Sequence, residues 1–169
     1  MATMTFQDLK FRKKNGKVAV EFLNNYEFEL EPEALEAIGD YRAEGNGIEF
    51  KGVDEAAARR KFNPILDYGL SRLTNSVTKK KTLYIHRYSG IPLIGTTSFG
   101  IIDRNTNMIE VRPLTGCNMN CIFCSVDEGL ASKKTADAVI EEKYLAEEVA
   151  KLVKHKGCEC HIIINSQGE

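Results

Sequence analysis

The chain has 169 residues, of which 43% are hydrophobic and 28% are charged, and its formal net charge is −1. These values are ordinary for a globular protein with a core, and they give no overall reason to expect nucleic acid or a membrane surface as a partner. No apolar run approaches the ~20 residues that span a bilayer, and the N-terminus lacks the apolar segment of a secretory signal. We therefore expect a cytoplasmic protein with no membrane partner.

The first hundred residues predict a small α+β unit. Residues 17–23 and 26–31 alternate apolar and polar side chains around an Asn-Asn pair, and this pattern predicts a β-hairpin. Pro32 suits the first turn of a helix, which is predicted to continue through residue 44. Residues 48–52 predict a further short strand.

A second helical segment is predicted to follow Asp54, whose side chain suits the N-cap position. Asn63 and Pro64 should interrupt it, because the residue before a proline disfavours helical backbone angles. Another helix is then predicted over residues 65–77, and a strand over residues 82–88.

Charge is segregated along this part of the chain. From Glu21 to Glu55 there are eleven acidic and two basic residues, whereas from Arg59 to Arg87 there are eight basic residues and one acidic residue. The basic segment could meet a phosphate backbone, which makes nucleic acid a candidate partner. The alternative is a solvated face paired with the acidic segment, and no aromatic residues suited to base stacking interleave the basic ones.

The last third of the chain predicts one βαβ unit. Residues 97–103 and 108–114 predict a hairpin whose second strand leads to a group of cysteines. The amphipathic pattern of residues 136–156 predicts a long helix, which Gly157 should cap. The apolar residues 160–165 predict a strand buried on both faces of a parallel sheet, reached by a right-handed crossover.

Three of the five cysteines, Cys117, Cys121 and Cys124, lie within eight positions with the spacing C-x-x-x-C-x-x-C. An odd count and such crowding differ from a disulfide framework and indicate metal or redox chemistry, since thiolates bind iron and zinc strongly. The group follows a predicted strand and precedes its helix, at the edge where α/β barrels build active sites. Three thiolates on a four-iron cubane would leave one iron open to a small molecule.

The spacing, together with Phe123 in the second gap, resembles the C-x-x-x-C-x-aromatic-C motif of the radical S-adenosylmethionine superfamily. A second feature of that family is a Gly-Gly-Glu-Pro-like turn after the second strand. Gln167, Gly168 and Glu169 take that place here, although Gln167 departs from the usual glycine.

The resemblance implies a 4Fe-4S cluster held by Cys117, Cys121 and Cys124, with S-adenosylmethionine on the fourth iron. It implies that Phe123 lies beside the adenine and that residues 167–169 receive the methionine amino group. In the family, one-electron reduction of the sulfonium yields a 5′-deoxyadenosyl radical that abstracts hydrogen, and a flavodoxin- or ferredoxin-like protein supplies the electron. The resemblance does not identify the substrate, and RNA, a peptide and a small metabolite are all candidates.

The resemblance covers roughly the last third of the chain and implies that residues 96–169 hold the first βαβ unit of a partial (β/α)6 TIM-like barrel. The first hundred residues resemble no family, and residues 1–95 are predicted to form an accessory α+β domain, so that the whole chain is an α/β protein. Six strand–helix units would need ~190 residues, on the proportions of the eight-unit barrel. We therefore expect an N-terminal fragment of a larger enzyme that is inactive alone.

The alternative is a non-catalytic module that binds zinc or an iron–sulfur cluster for folding alone. The three clustered cysteines could join Cys158, Cys160 or His161 in a tetrahedral zinc site, although the single-residue gap of C-x-C suits two ligands of one zinc poorly. Asp127 and Glu128 are predicted to lie in a solvated loop. Asn118 and Asn120 could hydrogen-bond to the cluster sulfurs or brace the loop.

Overall fold

Two units, Met1–Lys79 and Lys80–Glu169, make up the chain in a computed structural model that describes residues 2–124 and 126–165. The division precedes the predicted domain boundary between residues 95 and 96. The difference arises because the strand Lys81–Ile85 pairs in parallel with the strand Ala136–Ile140 of the second unit.

Antiparallel sheets form most of the first unit. Its strands are β1 Ala2–Thr5, β2 Leu9–Lys14, β3 Lys17–Phe22, β4 Tyr26–Leu30, β5 Tyr41–Glu44, β6 Gly47–Phe50 and β7 Thr74–Asn75. β2 pairs with β3, β3 with β4 and β4 with β7, whereas β1, β6 and β5 form a separate sheet. The predicted hairpin over residues 17–31 and the predicted strand near residue 48 are confirmed, and alternate residues of β3 are buried, as a period of two requires.

The first helix is shorter than predicted. Helix α1 spans Pro32–Glu36, whereas the predicted helix ran through residue 44, and residues 41–44 instead form β5. β5 pairs with β6 so that Ala43 lies opposite Ile48, and both side chains are buried. The prediction was wrong because sheet pairing outweighed the helix propensity of these residues, which is a weak preference in tertiary context.

Helix α2 spans Glu55–Leu70 and continues through Pro64. The predicted N-cap is confirmed, since the Asp54 carboxylate accepts two backbone N–H groups of the first turn at 3.1 and 3.3 Å. The predicted interruption at Pro64 was wrong. Phe62 before the proline and Gly69 after it are both buried, so packing on each side of Pro64 offsets the hydrogen bond that the proline cannot make.

The second unit contains the predicted βαβ arrangement. Its elements are β8 Lys81–Ile85, β9 Gly100–Asp103, β10 Met108–Arg112, β11 Ala136–Ile140, α3 Glu142–Lys156 and β12 His161–Ile164. β9 and β10 form the predicted hairpin. β10 and β12 pair in parallel, with α3 between them in sequence, so the strand–helix–strand prediction is confirmed.

The predicted helix over residues 136–156 was too long at its N-terminal end. Residues 136–140 form β11, which is largely buried and pairs with β8, and α3 begins only at Glu142. The apolar residues of β11 continue the apolar stripe of the helix in sequence, which explains the error. Gly157 caps α3 as predicted, with a φ of 61° in the left-handed region.

β12 lies at the edge of the sheet β12-β10-β9 and is not buried on both faces as predicted. Ile164 exposes 71% of its surface, because no further strand covers β12 among the described residues. No helix in residues 2–124 and 126–165 is long and apolar enough to cross a membrane. The described chain is a mixed α/β fold, rich in strands, whose sheets are open.

Candidate functional site

The chain runs from the end of β10 to the cysteines along a fixed path. The Ile140 N–H of β11 donates to the Pro113 carbonyl at 2.9 Å, and the Thr115 N–H donates to the Ala138 carbonyl at 2.8 Å. The Thr115 hydroxyl accepts the Ala138 N–H at 2.8 Å. These bonds hold the segment against β11, so the cysteine loop, residues 117–124, starts from a fixed point.

Gly116, directly before the loop, occupies a position that does not accommodate a side chain. Its φ is 89°, in the region that favours glycine, and a Cβ atom placed there would lie 2.7 Å from Oδ2 of Asp137. Asp137 is a buried residue of β11. Close packing on β11 therefore requires a glycine at this position.

Glu128 joins the start of the cysteine loop to the segment that follows the loop, in an arrangement of Gly116, Cys117, Glu128 and Lys134 that we name the Glu128 clasp. The Glu128 carboxylate accepts the Gly116 N–H at 3.0 Å and a hydrogen bond from the Lys134 ammonium, and the Glu128 carbonyl accepts the Cys117 N–H at 2.9 Å. Glu128 is 3% exposed, so the prediction of a solvated position was wrong for this residue. Asp127 is exposed, as predicted for the same loop.

The sulfur of Cys124 lies among backbone amides. Hydrogen bonds from the N–H groups of Glu128, which contributes most, and Val126 lower the pKa of Cys124 below its ordinary value. Desolvation raises the pKa of Cys124. Asp127 lowers this pKa through its backbone N–H and raises it through the charge of its carboxylate. The lowered pKa favours the thiolate, which is the form that binds metals.

The three clustered cysteines line one cavity. Its volume is about 230 Å³, and Cys117, Cys121 and Cys124 share its lining with Asp127 and six uncharged residues. The Asn120 side chain accepts the Ala131 N–H at 3.3 Å across the loop, so the bracing role predicted for one of the two asparagines is confirmed for Asn120. The three cysteines thus share one cavity, and Asn120 braces the loop that forms it.

The donor set of this cavity fits a polynuclear iron–sulfur group. A cluster places each thiolate on a different iron, so it requires sulfurs that face one cavity and does not require that they converge on one point. Cys117, Cys121 and Cys124 all belong to the lining of one cavity, and thiolates are ligands that bind iron strongly. Within residues 2–124 and 126–165, no three His, Cys, Asp or Glu side chains are grouped closely enough to hold a single metal ion.

The residues predicted to contact S-adenosylmethionine are described only in part. Phe123 exposes 85% of its surface and Ile122 is fully exposed, so this end of the loop presents apolar side chains outward. Gln167, Gly168 and Glu169 lie outside the described residues.

Cys158 and Cys160 lie at the opposite end of the parallel strands from the cysteine loop. His161, the first residue of β12, pairs with Met108, the first residue of β10, whereas Cys117 follows the last residue of β10. The alternative zinc site that combined the two cysteine groups therefore conflicts with the strand register.

The basic segment is partly neutralised by carboxylates. Arg59 pairs with Glu55 at 3.1 Å and Lys79 pairs with Glu27 at 3.8 Å, and both acids belong to the acidic segment. These exposed pairs favour the solvated-face interpretation. Nucleic acid as a partner stays a prediction.

Sequence reasoning missed the Glu128 clasp. Glu128 and Lys134 are two of five charged residues from Asp127 to Asp137, and nothing in that composition distinguishes the buried carboxylate from exposed ones. The Thr-Gly pair directly before Cys117 offered a signal, because glycine beside a cysteine motif often marks a close backbone approach.

Comparison with known proteins yields a relative without a described function. An alignment of 165 positions, which covers 94% of the chain, shows 36% identity to the protein named "Uncharacterized protein MJ0103" of Methanocaldococcus jannaschii. The chain spans 36% of the length of that relative. No protein-family model matches the chain, and no solved structure matches it. Functional inference therefore depends on the residues of the site.

Proposed function

We propose that this chain is part of a radical S-adenosylmethionine enzyme, which cleaves S-adenosylmethionine by one-electron reduction and abstracts hydrogen from a substrate. The observation that carries the proposal is that Cys117, Cys121 and Cys124 line one cavity beyond the carboxyl end of β10. Soft anionic sulfurs suit iron, and three of them leave a fourth iron for the substrate sulfonium compound. When bound, a 4Fe-4S cluster supplies the low-potential electron for that cleavage.

The chain's own residues prepare the cavity for this group. The backbone N–H groups around Asp127 stabilise the Cys124 thiolate before any metal binds. The Glu128 clasp holds the start of the loop against the segment that follows it. The exposed ring of Phe123 offers an apolar face on which an adenine can stack. Gln167, Gly168 and Glu169 are assigned the methionine amino group on the family resemblance alone.

The position of the cavity supports a barrel-type enzyme. β10 and β12 are parallel, and the cysteines follow the carboxyl end of β10, the edge at which α/β barrels bind their ligands. Within the proposal, β10, α3 and β12 form the first strand–helix–strand unit of a partial (β/α)6 barrel. The exposed edge of β12 is where the next parallel strand of such a barrel would pair.

The proposal implies further components. A flavodoxin- or ferredoxin-like protein would supply the electron in the cytoplasm, where a reducing environment preserves the thiols. RNA, a peptide or a small metabolite all suit hydrogen abstraction as substrates, and the residues of the cavity do not select between them. A non-catalytic module that holds the same cluster for folding is the competing function.

The test is anaerobic reconstitution of the 169-residue chain with ferrous iron and sulfide. We expect the iron and sulfide content of one 4Fe-4S cluster per chain, and a low-temperature paramagnetic resonance spectrum, after reduction, that changes when S-adenosylmethionine is added. Cys121→Ser should abolish iron binding, whereas the matched control Cys158→Ser should retain it.

Three results would contradict the proposal. Absence of iron from oxygen-free protein would remove the cluster itself. Equal loss of iron in Cys121→Ser and Cys158→Ser would favour a site that includes the downstream cysteines. A cluster whose spectrum ignores S-adenosylmethionine would indicate the structural module.

A further inference from the structure

Cys158 and Cys160 form a separate pair in the turn between α3 and β12. Their Sγ atoms lie 3.8 Å apart, and the Cys160 thiol donates to the Cys158 carbonyl oxygen at 3.5 Å. An S–S bond is ~2.05 Å long, so the two sulfurs are neighbours that must approach each other further before they can bond. This pair lies beyond the reach of the cysteine loop, because it precedes β12 at the end where β10 begins.

The surroundings give the two thiols different properties. Cys158 is exposed, whereas Cys160 is half-buried beside the core of the second unit. Burial, and then the hydrogen bond with Cys158, raise the pKa of Cys160. The Lys156 ammonium, which is bonded to Asp103 at 2.8 Å, also lies close enough for the two sulfurs to raise its pKa. A cation beside a thiol pair stabilises the thiolate that forms during exchange.

We propose that Cys158 and Cys160 are a redox-active dithiol, which exchange with a low-molecular-weight disulfide converts to an intramolecular disulfide. Exposure assigns the first attack to Cys158 and the second to Cys160. The site is a modification site of the chain and does not depend on the proposed cluster.

The exchange proceeds in two balanced displacements. The Cys158 thiolate attacks one sulfur of the small disulfide, whose S–S bond breaks and releases one small thiolate. Cys160 then loses its proton to solvent and attacks Sγ of Cys158, which forms the protein disulfide and releases the second small thiolate. The protein loses two electrons and two protons, and the small disulfide is reduced to two thiols.

The test uses the full chain, without iron and without oxygen, in glutathione buffers of increasing oxidised fraction. After an acid quench and alkylation, trypsin cleavage after Lys156 leaves both cysteines on the peptide of residues 157–169. The cysteine loop falls on a different peptide, which ends at Lys133. We expect peptide 157–169 to lose two hydrogens and both alkyl labels as the oxidised fraction rises, and to regain both labels after treatment with dithiothreitol.

The order of attack predicts a specific intermediate. Cys160→Ser should accumulate glutathione at residue 158, because the second displacement is lost, and Cys158→Ser should acquire glutathione at residue 160 several-fold more slowly. Circular dichroism of both variants checks that each is folded. The proposal fails if peptide 157–169 keeps both labels throughout the buffer series. It also fails if the native chain stops at a mixed disulfide, or if Cys160→Ser acquires no glutathione.

Discussion

Replacement of Glu128 by alanine tests whether the Glu128 clasp holds the cysteine loop. The substitution removes the acceptor of the Gly116 N–H, a buried bond of 3.0 Å, and the partner of Lys134. Loss of a buried hydrogen bond to a charged group costs about 1.5–3 kcal/mol. The Lys134 side chain is 38% exposed and regains water, so its pair adds at most about 1 kcal/mol. We expect the free energy of unfolding to fall by about 1.5–4 kcal/mol.

The assay is urea unfolding followed by circular dichroism, together with the alkylation rate of the loop cysteines in the metal-free chain. The matched control is Glu148→Ala, which removes a surface pair with Lys151 at 2.6 Å on α3 and should change stability by no more than about 0.5 kcal/mol. Glu128→Ala should also speed alkylation of Cys117, since the loop is then held by fewer bonds. If the two variants are equally stable and their loop cysteines react at the native rate, the clasp does not hold the loop.

Three further predictions concern separate features. Gly116→Ala should lower the free energy of unfolding by about 1–3 kcal/mol through backbone strain alone. The clash of the new Cβ atom with Asp137 should add to this loss, which urea unfolding measures. The amide-stabilised sulfur of Cys124 has a lowered pKa, so its thiolate fraction is raised at neutral pH. Its alkylation should therefore reach half its maximal rate at a lower pH than the alkylation of free cysteine in the same buffers, and a midpoint equal to or above that of free cysteine would contradict the lowered pKa. Asp54→Ala removes the N-cap of α2 and should cost about 1 kcal/mol in unfolding, unlike the conservative Asp54→Asn.

Local patterns predicted two hairpins whose strands are neighbours in sequence. The hairpin β3–β4 and the hairpin β9–β10 each join neighbouring strands, and both were found from alternation and turn residues. β11 was missed because its partner β8 lies more than fifty residues earlier, and the local apolar pattern of residues 136–140 is equally compatible with the following helix. β5 was missed although its partner β6 is near in sequence, because residues 41–44 continue the helical pattern that begins at Pro32 and only the pairing with β6 distinguishes them from helix.

The residues of the candidate site also differ in whether the sequence alone identifies them. The cysteines were identifiable because their spacing and residue type are themselves the chemical signal. Glu128 was not identifiable, because a carboxylate becomes a positioning group only when burial and the Gly116 N–H are known. The raised pKa of Cys160 likewise depends on burial and on the 3.8 Å separation of two sulfurs, neither of which the C-x-C spacing specifies.

β11 holds both ends of the segment that contains the cysteine loop. Connections between a strand and the next helix are commonly about 2–6 residues long, whereas the connection from β10 to α3 carries both the cysteine loop and an added strand. A long loop costs conformational entropy unless its ends are held. Here Pro113 and Thr115 bind β11 before the loop, and β11 itself follows the loop, so one buried strand fixes both ends. The same strand supplies Asp137, whose packing excludes a side chain at Gly116. A change that displaces β11 from β8 should therefore disturb the three sulfurs together, even though no residue of β11 lines the cavity.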